Sequence, residues 1–406
     1  MHPMTSRGAF AAFAAACTTM FAAPAFAQTP SPAPVASPAA SNDAALIAAL
    51  QRDLTTYIKA HEADEHVSAS SVYVSFKDGT SVEAAGGTTT FGGSTPLAND
   101  SLWQIGSNTK AFTAATILQL EAEGKLSIHD TLGKWLPQYP AWHAITIERL
   151  LNMTSGIPTY DDAAPFMKAT AANPKSVIPA TRLISFSIGK PLQHGYNYTN
   201  TAYLLSQLII EKVTHDTYGD QLRKRFFEPL GLTDASFHTD FNPPEVNARM
   251  PAGYFYAKAV KPMARLVGTD VRPYTTSWMQ AAGGIVASMH DLTTWARALY
   301  EGRVLKPAQQ AELENVVSTK TGKTIGTVSS ADPRGFGLGV LVADAPAFGG
   351  KLWSYEGGTF GFRTFHAYVP GSKAVIAVGL NSGADSDAIG ALFTSIYATL
   401  HAAGKV

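Results

Sequence analysis

Ser107 and Lys110, three residues apart in Gly106-Ser107-Asn108-Thr109-Lys110, are the residue types that nucleophilic acyl transfer needs. A hydroxyl attacks a carbonyl, and an amine takes its proton. On the first turn of a helix, positions i and i+3 share one face, and the unsatisfied N–H groups of the helix N-terminus favour a developing oxyanion. The spacing alone is weak, since about one or two chance matches are expected in a chain of this length. A second match does occur, Ser187-Ile188-Gly189-Lys190. There Gly189 and Pro191 break the helix, so the two side chains need not face each other. Around the first match, residues 107–123 are apolar on nearly every face until Gly124 supplies a stop, which predicts a buried helix. Burial would lower the Lys110 pKa and make it a base near neutrality. On spacing alone, a helix-capping Ser107 beside a snorkelling Lys110 stays open.

Tyr198-Thr199-Asn200 supplies a second pair, a phenol that can shuttle a proton to a leaving group and an amide that can hydrogen-bond a substrate carbonyl. By itself it also fits a loop tyrosine packed on the following helix, 202–213. The elements that must position these groups can be read from periodicity. Leu46, Ile47, Leu50, Leu54, Tyr57 and Ile58 recur at helical spacing, 71–76 alternates as a strand, and Asp78-Gly79 marks a hairpin turn. Helices and proline-bearing loops, including 202–213 and 219–227, dominate from Leu126 to about His290. Segments 336–342, 352–355, 362–368 and 374–380 read as strands and 386–400 as a closing helix. An early helix and hairpin, late strands and a helical middle predict an α+β fold with one sheet built from both ends of the chain.

Six segments in order carry a family resemblance: Ser107-x-x-Lys110, Leu150-Leu151-Asn152-Met153-Thr154-Ser155-Gly156-Ile157-Pro158, Tyr198-Thr199-Asn200, Glu228-Pro229-Leu230-Gly231-Leu232, Ala282-Gly283-Gly284 and Gly357-Gly358-Thr359-Phe360-Gly361-Phe362. Over roughly 45–400 the chain resembles the serine β-lactamase and DD-peptidase superfamily, in its class C β-lactamase-related branch, which includes esterases and D-amino-acid peptidases. The resemblance implies an antiparallel sheet flanked by helices, lobes over about 43–125 with 285–406 and over 126–284, and a serine hydrolase. Ser107 would be the acylated nucleophile, Lys110 its base, Tyr198 the proton shuttle and Asn200 a substrate-positioning amide. The N–H groups of Ser107 and Gly358 would form the oxyanion hole, with Tyr355 and Gly357 lining the substrate.

The third motif departs from that family. Where class C enzymes carry Lys-Thr-Gly and related peptidases often His-x-Gly, this chain has Tyr355-Glu356-Gly357. Arg363, six residues past Gly357, is the candidate replacement charge for an anionic substrate end. The literal Lys320-Thr321-Gly322 lies between a helix and a Gly/Ser-rich loop, unsuited to the edge-strand role. Asn152-Met153 stands where Thr-His is common, and 192–198 is shorter than usual. Loss of the motif lysine favours a DD-peptidase, D-amino-acid amidase or esterase. A β-lactamase is the first alternative and a non-catalytic penicillin- or peptide-binding sensor the second.

Composition excludes other classes. With 31 basic and 31 acidic residues, no net field would hold the chain on nucleic acid. Apolar residues make up 46 % and charged ones 15 %, which suits a large core, and 406 residues exceed what one core supports. Neither HExxH, Gly-x-Ser-x-Gly, a P-loop nor a dinucleotide fingerprint occurs, so no metal and no cofactor is expected. Residues 1–27 read as a signal peptide cut after Ala27, with lipid anchoring at Cys17 as the rival, and 28–42 as a Pro/Ala-rich tether; a periplasmic or secreted location follows. The expected partner is a small-molecule or peptide substrate, with the oligomeric state open.

Overall fold

The computed structural model describes residues 39–386 and 388–406. The signal-peptide and Cys17 expectations, and most of the tether, lie outside them.

The first helix, α1 (Ala39–Glu65), begins four residues before the expected start of the folded part. It buries Leu46, Leu50, Leu54, Tyr57 and Ile58, the stripe that its periodicity predicts. Strands β1 (Ala69–Ser75) and β2 (Ser81–Gly87) form the hairpin. Its turn is closed by the Thr80 N–H donating to Asp78 Oδ1 at 2.9 Å. Further on come β3 (Leu102–Gln104), α2 (Thr109–Ala122), α3 (Asn200–Thr214), β4 (Ser236–Phe237), β5 (Tyr254–Tyr256), β6 (Ile285–Ser288) and α4 (Met289–Tyr300). The last third holds β7 (Val316–Ser318), β8 (Thr324–Gly326), β9 (Arg334–Phe336), β10 (Leu341–Ala345), β11 (Gly350–Gly358), β12 (Arg363–Val369), β13 (Ala374–Leu380), β14 (Ser382–Ala384) and α5 (Ile389–Ala402).

Nine strands make one antiparallel sheet in the order β2-β1-β13-β12-β11-β10-β9-β7-β8, so the early hairpin joins the late strands through β1 and β13. Alternation divides the sheet between two cores. Phe365, Ala367 and Val369 of β12 pack with Leu50 and Leu54 of α1 and Phe393 and Ile396 of α5. The opposite face meets α4, where Ala296 packs with Tyr368 and Val375. The expected single strand 336–342 is instead two, because Gly337 donates to the Val340 carbonyl at 2.8 Å and Gly339 takes a φ of +75°, folding the segment into a turn between β9 and β10.

Only Tyr355 to Gly358 of β11 lies beyond its pairing with β10, which ends at Ser354. That end of the strand is held by β12 on one side and leaves its other edge to the start of α2. Within the described residues, no helix is long and apolar enough to cross a membrane.

Candidate active site

Ser107 sits in a single 3₁₀ turn, Gly106–Asn108, that leads into α2. Three residues per turn stack Ser107 over Lys110. Lys110 is fully buried, and its Nζ lies 3.0 Å from Ser107 Oγ while donating to the Ala282 carbonyl at 2.6 Å. Burial pushes the amine down to about 7, with the Asp161 charge pulling the other way. The Tyr198 hydroxyl donates to the same Ser107 oxygen at 2.9 Å. Burial raises the Tyr198 phenol well above its ordinary value, against its bonds to Ser107 and Tyr355, with the Asp161 and Glu356 charges adding to the rise. Tyr198 is therefore a neutral donor and Lys110 the group able to accept a proton near neutrality.

The turn approaches β11 so closely that only glycines fit. Gly106 has a φ of +52°, and a Cβ on it would stand 2.8 Å from both Gly357 C and Gly358 N. A Cβ on Gly357 would stand 1.9 Å from the Ile105 carbonyl oxygen. Gly358 N thus lies against the residue preceding Ser107.

The segment 150–161 serves as a cradle for the tyrosine pair. Met153, at a φ of +63°, accepts from Asn197 N at its carbonyl (2.8 Å) and from Thr199 N at Sδ (3.3 Å), fastening both neighbours of Tyr198. Tyr203 donates to the Leu151 carbonyl at 2.8 Å, which ties α3 to the same segment. Met153 thereby gives a physical account of one departure from the family pattern: the sulfur acts as the acceptor.

Asn200 is drawn toward this cradle. Its Nδ2 donates to Asp161 Oδ2 at 2.8 Å, its N–H donates to Thr159 Oγ1 at 3.1 Å, and its buried Oδ1 has no hydrogen-bond partner among the described residues. Asp161 is buried and its pKa is raised by that burial, against its bonds to Thr159 and Asn200. Nothing in the sequence singled out Asp161, because an acidic residue after a proline-bearing loop normally reads as surface.

Tyr355 is also buried, and its hydroxyl donates to Tyr198 at 3.3 Å, so the two phenols meet beside Ser107. Glu356, half-buried, points to the other face of the sheet, opposite Phe365 in the ladder.

Arg363 does not supply the expected substrate charge. It is fully buried, ion-paired with Glu65 of α1, and donates to the Ser382 and Ser386 carbonyls at 2.9 Å each. Its position opposite Gly358 sends the side chain to the α1 face of the sheet, where a carboxylate already neutralises it. Asn381 is a buried clamp, accepting from Ser68 N and Ala69 N at 2.9 and 2.8 Å. Ser187 shares a hydrogen bond with Thr201 at 2.9 Å, and Lys320-Thr321-Gly322 forms the turn between β7 and β8. Among the described residues, no group of three or more His, Cys, Asp or Glu side chains is placed to hold a metal ion.

The sequence profile of the Beta-lactamase family matches residues 54–395, and the chain belongs to that family. It is 28 % identical over 287 residues to penicillin-binding protein 4* of Bacillus subtilis, covering 69 % of this chain and 61 % of that protein. The chain thus spans about three fifths or less of the curated relatives it matches. The fold is shared with D-amino acid amidase from Ochrobactrum anthropi, with a TM-score of 0.73 at 22 % identity over 88 % of this chain and 99 % of that one. It is shared too with a D-stereospecific amidohydrolase from a Streptomyces species, with a TM-score of 0.71 at 24 % identity over 86 % and 98 % of the two chains.

Proposed function

We propose that this chain cleaves an ester or amide through an acyl-enzyme on Ser107. The observation that carries the reading is one oxygen, Ser107 Oγ, held between an amine at 3.0 Å lowered to about 7 and a neutral phenol at 2.9 Å. Lys110 takes the Ser107 proton as Oγ bonds the carbonyl carbon, and the oxyanion forms against the N–H groups of Ser107 and Gly358. As the carbon–heteroatom bond breaks, Tyr198 gives its proton to the leaving group and recovers one from Lys110. Water then attacks the acyl-enzyme, its proton follows the same groups in reverse, and the acid product leaves.

The substrate class follows from charge. The motif lysine is replaced by Tyr355, Arg363 is sequestered, and Asp161 is the carboxylate whose field reaches both Lys110 and Tyr198. Such a site disfavours a carboxylate next to the scissile bond and suits a free or protonated amine. Amides or esters of amino acids are therefore the proposed substrates, in keeping with the amidase relatives of the same fold. D-configured amino acid amides are the first to try. A secreted location is part of the same proposal.

A panel of D-phenylalanine amide, a p-nitrophenyl ester and a chromogenic cephalosporin, assayed with wild type and Ser107→Ala, tests the reading. Turnover of the first two, lost in the variant, is expected. Cephalosporin turnover exceeding both would transfer the assignment to β-lactamase, and binding of all three without hydrolysis would make the chain a sensor.

A further inference from the structure

Behind the nucleophile turn lies a chain of buried polar side chains that takes no part in the reaction proposed above. The Tyr300 hydroxyl, at the end of α4, is 3.0 Å from His366 Nε2 on β12. His366 Nδ1 is 2.6 Å from Asn108 Oδ1. Asn108 Nδ2 donates to the Ile105 carbonyl and to Thr364 Oγ1, each at 2.8 Å, and Thr364 donates to that carbonyl at 3.0 Å. Asn108, Thr364 and His366 are all buried.

The protons in this chain admit one order. A backbone carbonyl only accepts, so Asn108 must present its NH₂ to Ile105, which leaves Oδ1 facing His366. Oδ1 also only accepts, so Nδ1 carries the imidazole hydrogen. Burial holds His366 down to about 3, so the ring is neutral and Nε2 accepts from the Tyr300 O–H. A buried network in which every donor has an acceptor favours a single geometry.

We propose that the Tyr300–His366–Asn108 chain, with Thr364, is a positioning device that sets the Ile105–Gly106–Ser107 turn against the Gly357–Gly358 end of β11. It thereby fixes the distance between Ser107 Oγ and the backbone N–H groups that receive the oxyanion. The Ile105 carbonyl it grips is the atom that a Gly357 Cβ would meet at 1.9 Å, and Asn108 Nδ2 is the next, at 2.7 Å. The grip is thus applied where the turn and the strand touch. Asn108 adjoins the nucleophile in sequence, so a change in its hydrogen bonding moves the Ser107 backbone directly. A misplacement of roughly 1 Å in such a site costs on the order of a hundredfold in rate.

The proposal rests on the serine-hydrolase reading, and its test separates the two. Wild type, His366→Leu, His366→Asn and Thr364→Val are titrated at Ser107 with a fluorophosphonate and assayed on a p-nitrophenyl ester, with a boronic acid as tetrahedral mimic. His366→Leu is expected to lower kcat per titrated site about 10- to 100-fold, with KM within about twofold and boronate affinity falling in step. His366→Asn, whose amide N–H stands near the place of Nδ1–H, is expected to recover most of kcat. Unchanged kcat per titrated site with only a lower Tm would overturn the proposal. Should His366→Leu not fold, Thr364→Val keeps the shape and removes one grip on Ile105; a kcat drop of roughly threefold or more supports the device, and full kcat overturns it. No labelling of wild type at Ser107 would overturn the hydrolase reading, and this proposal with it.

Discussion

Replacing Lys110 by methionine should separate the catalytic value of this amine from its cost to the fold. An ordinary lysine loses its proton at 10.5, and burial brings Lys110 to about 7, a difference worth roughly 5 kcal/mol. Because the folded-state pKa lies below the unfolded one, the unfolded chain binds the extra proton between about 7 and 10.5. Stability therefore rises with pH across that window by ~1.4 kcal/mol per pH unit, and the penalty is complete below about 7. In Lys110→Met the penalty is absent, but the Ala282 carbonyl is orphaned, at about 1–3 kcal/mol. The variant should thus be more stable than wild type by about 2–4 kcal/mol at pH 6 and lose that advantage by about pH 10. Urea titrations of both proteins at pH 6, 8 and 10 read this directly, since other titrating groups cancel in the difference. In parallel, wild-type kcat/KM on a p-nitrophenyl ester should fall about tenfold per pH unit below about 7 and level off above it. A wild-type profile flat from pH 5.5 to 9, with a pH-independent stability difference, would refute the reasoning and show that Lys110 stays charged.

Ser107→Ala should abolish fluorophosphonate labelling and lower kcat by on the order of a millionfold while leaving Tm within a few degrees, as checked by mass spectrometry and calorimetry. Gly357→Ala should be among the most destabilising single changes, by more than about 3 kcal/mol, because its Cβ meets the Ile105 carbonyl; denaturant midpoints measure it. Arg363→Met should destabilise by about 3–5 kcal/mol by stranding the Glu65 carboxylate, and Glu65→Leu in the same chain should recover much of that loss. Neither change should alter the ratio of turnover between an anionic and a neutral ester. Met153→Leu should lower kcat several-fold with little change in KM, since Thr199 N–H loses its acceptor beside Tyr198.

Local relations were legible before the fold was known. The i, i+3 placement of Ser107 and Lys110 depends only on helical geometry, and the all-apolar run of α2 forces the lysine inside, so its lowered pKa could be anticipated. The stripe of α1 and the Asp78-Gly79 hairpin were readable for the same reason. The continuous strand expected over 336–342 was not there, because two glycines in a short window permit a turn that alternation does not reveal.

Relations across the chain were another matter. Tyr198 meets Ser107 from 91 residues away, a contact that family resemblance implied and that no local pattern determines. Arg363 was expected at the substrate, yet its pairing with Glu65, 298 residues earlier, was invisible because it depends on which face of β12 a one-residue step selects. His366 and Asn108, 258 residues apart, were equally silent. By itself the sequence determined the residue types, their spacing within a helical turn and the burial of α2, since those follow from backbone geometry and hydrophobicity. The tertiary structure alone decided which distant side chains share the space around Ser107, because sheet register and the packing of α1, α3 and α4 settle which charges are neutralised and which are left to act.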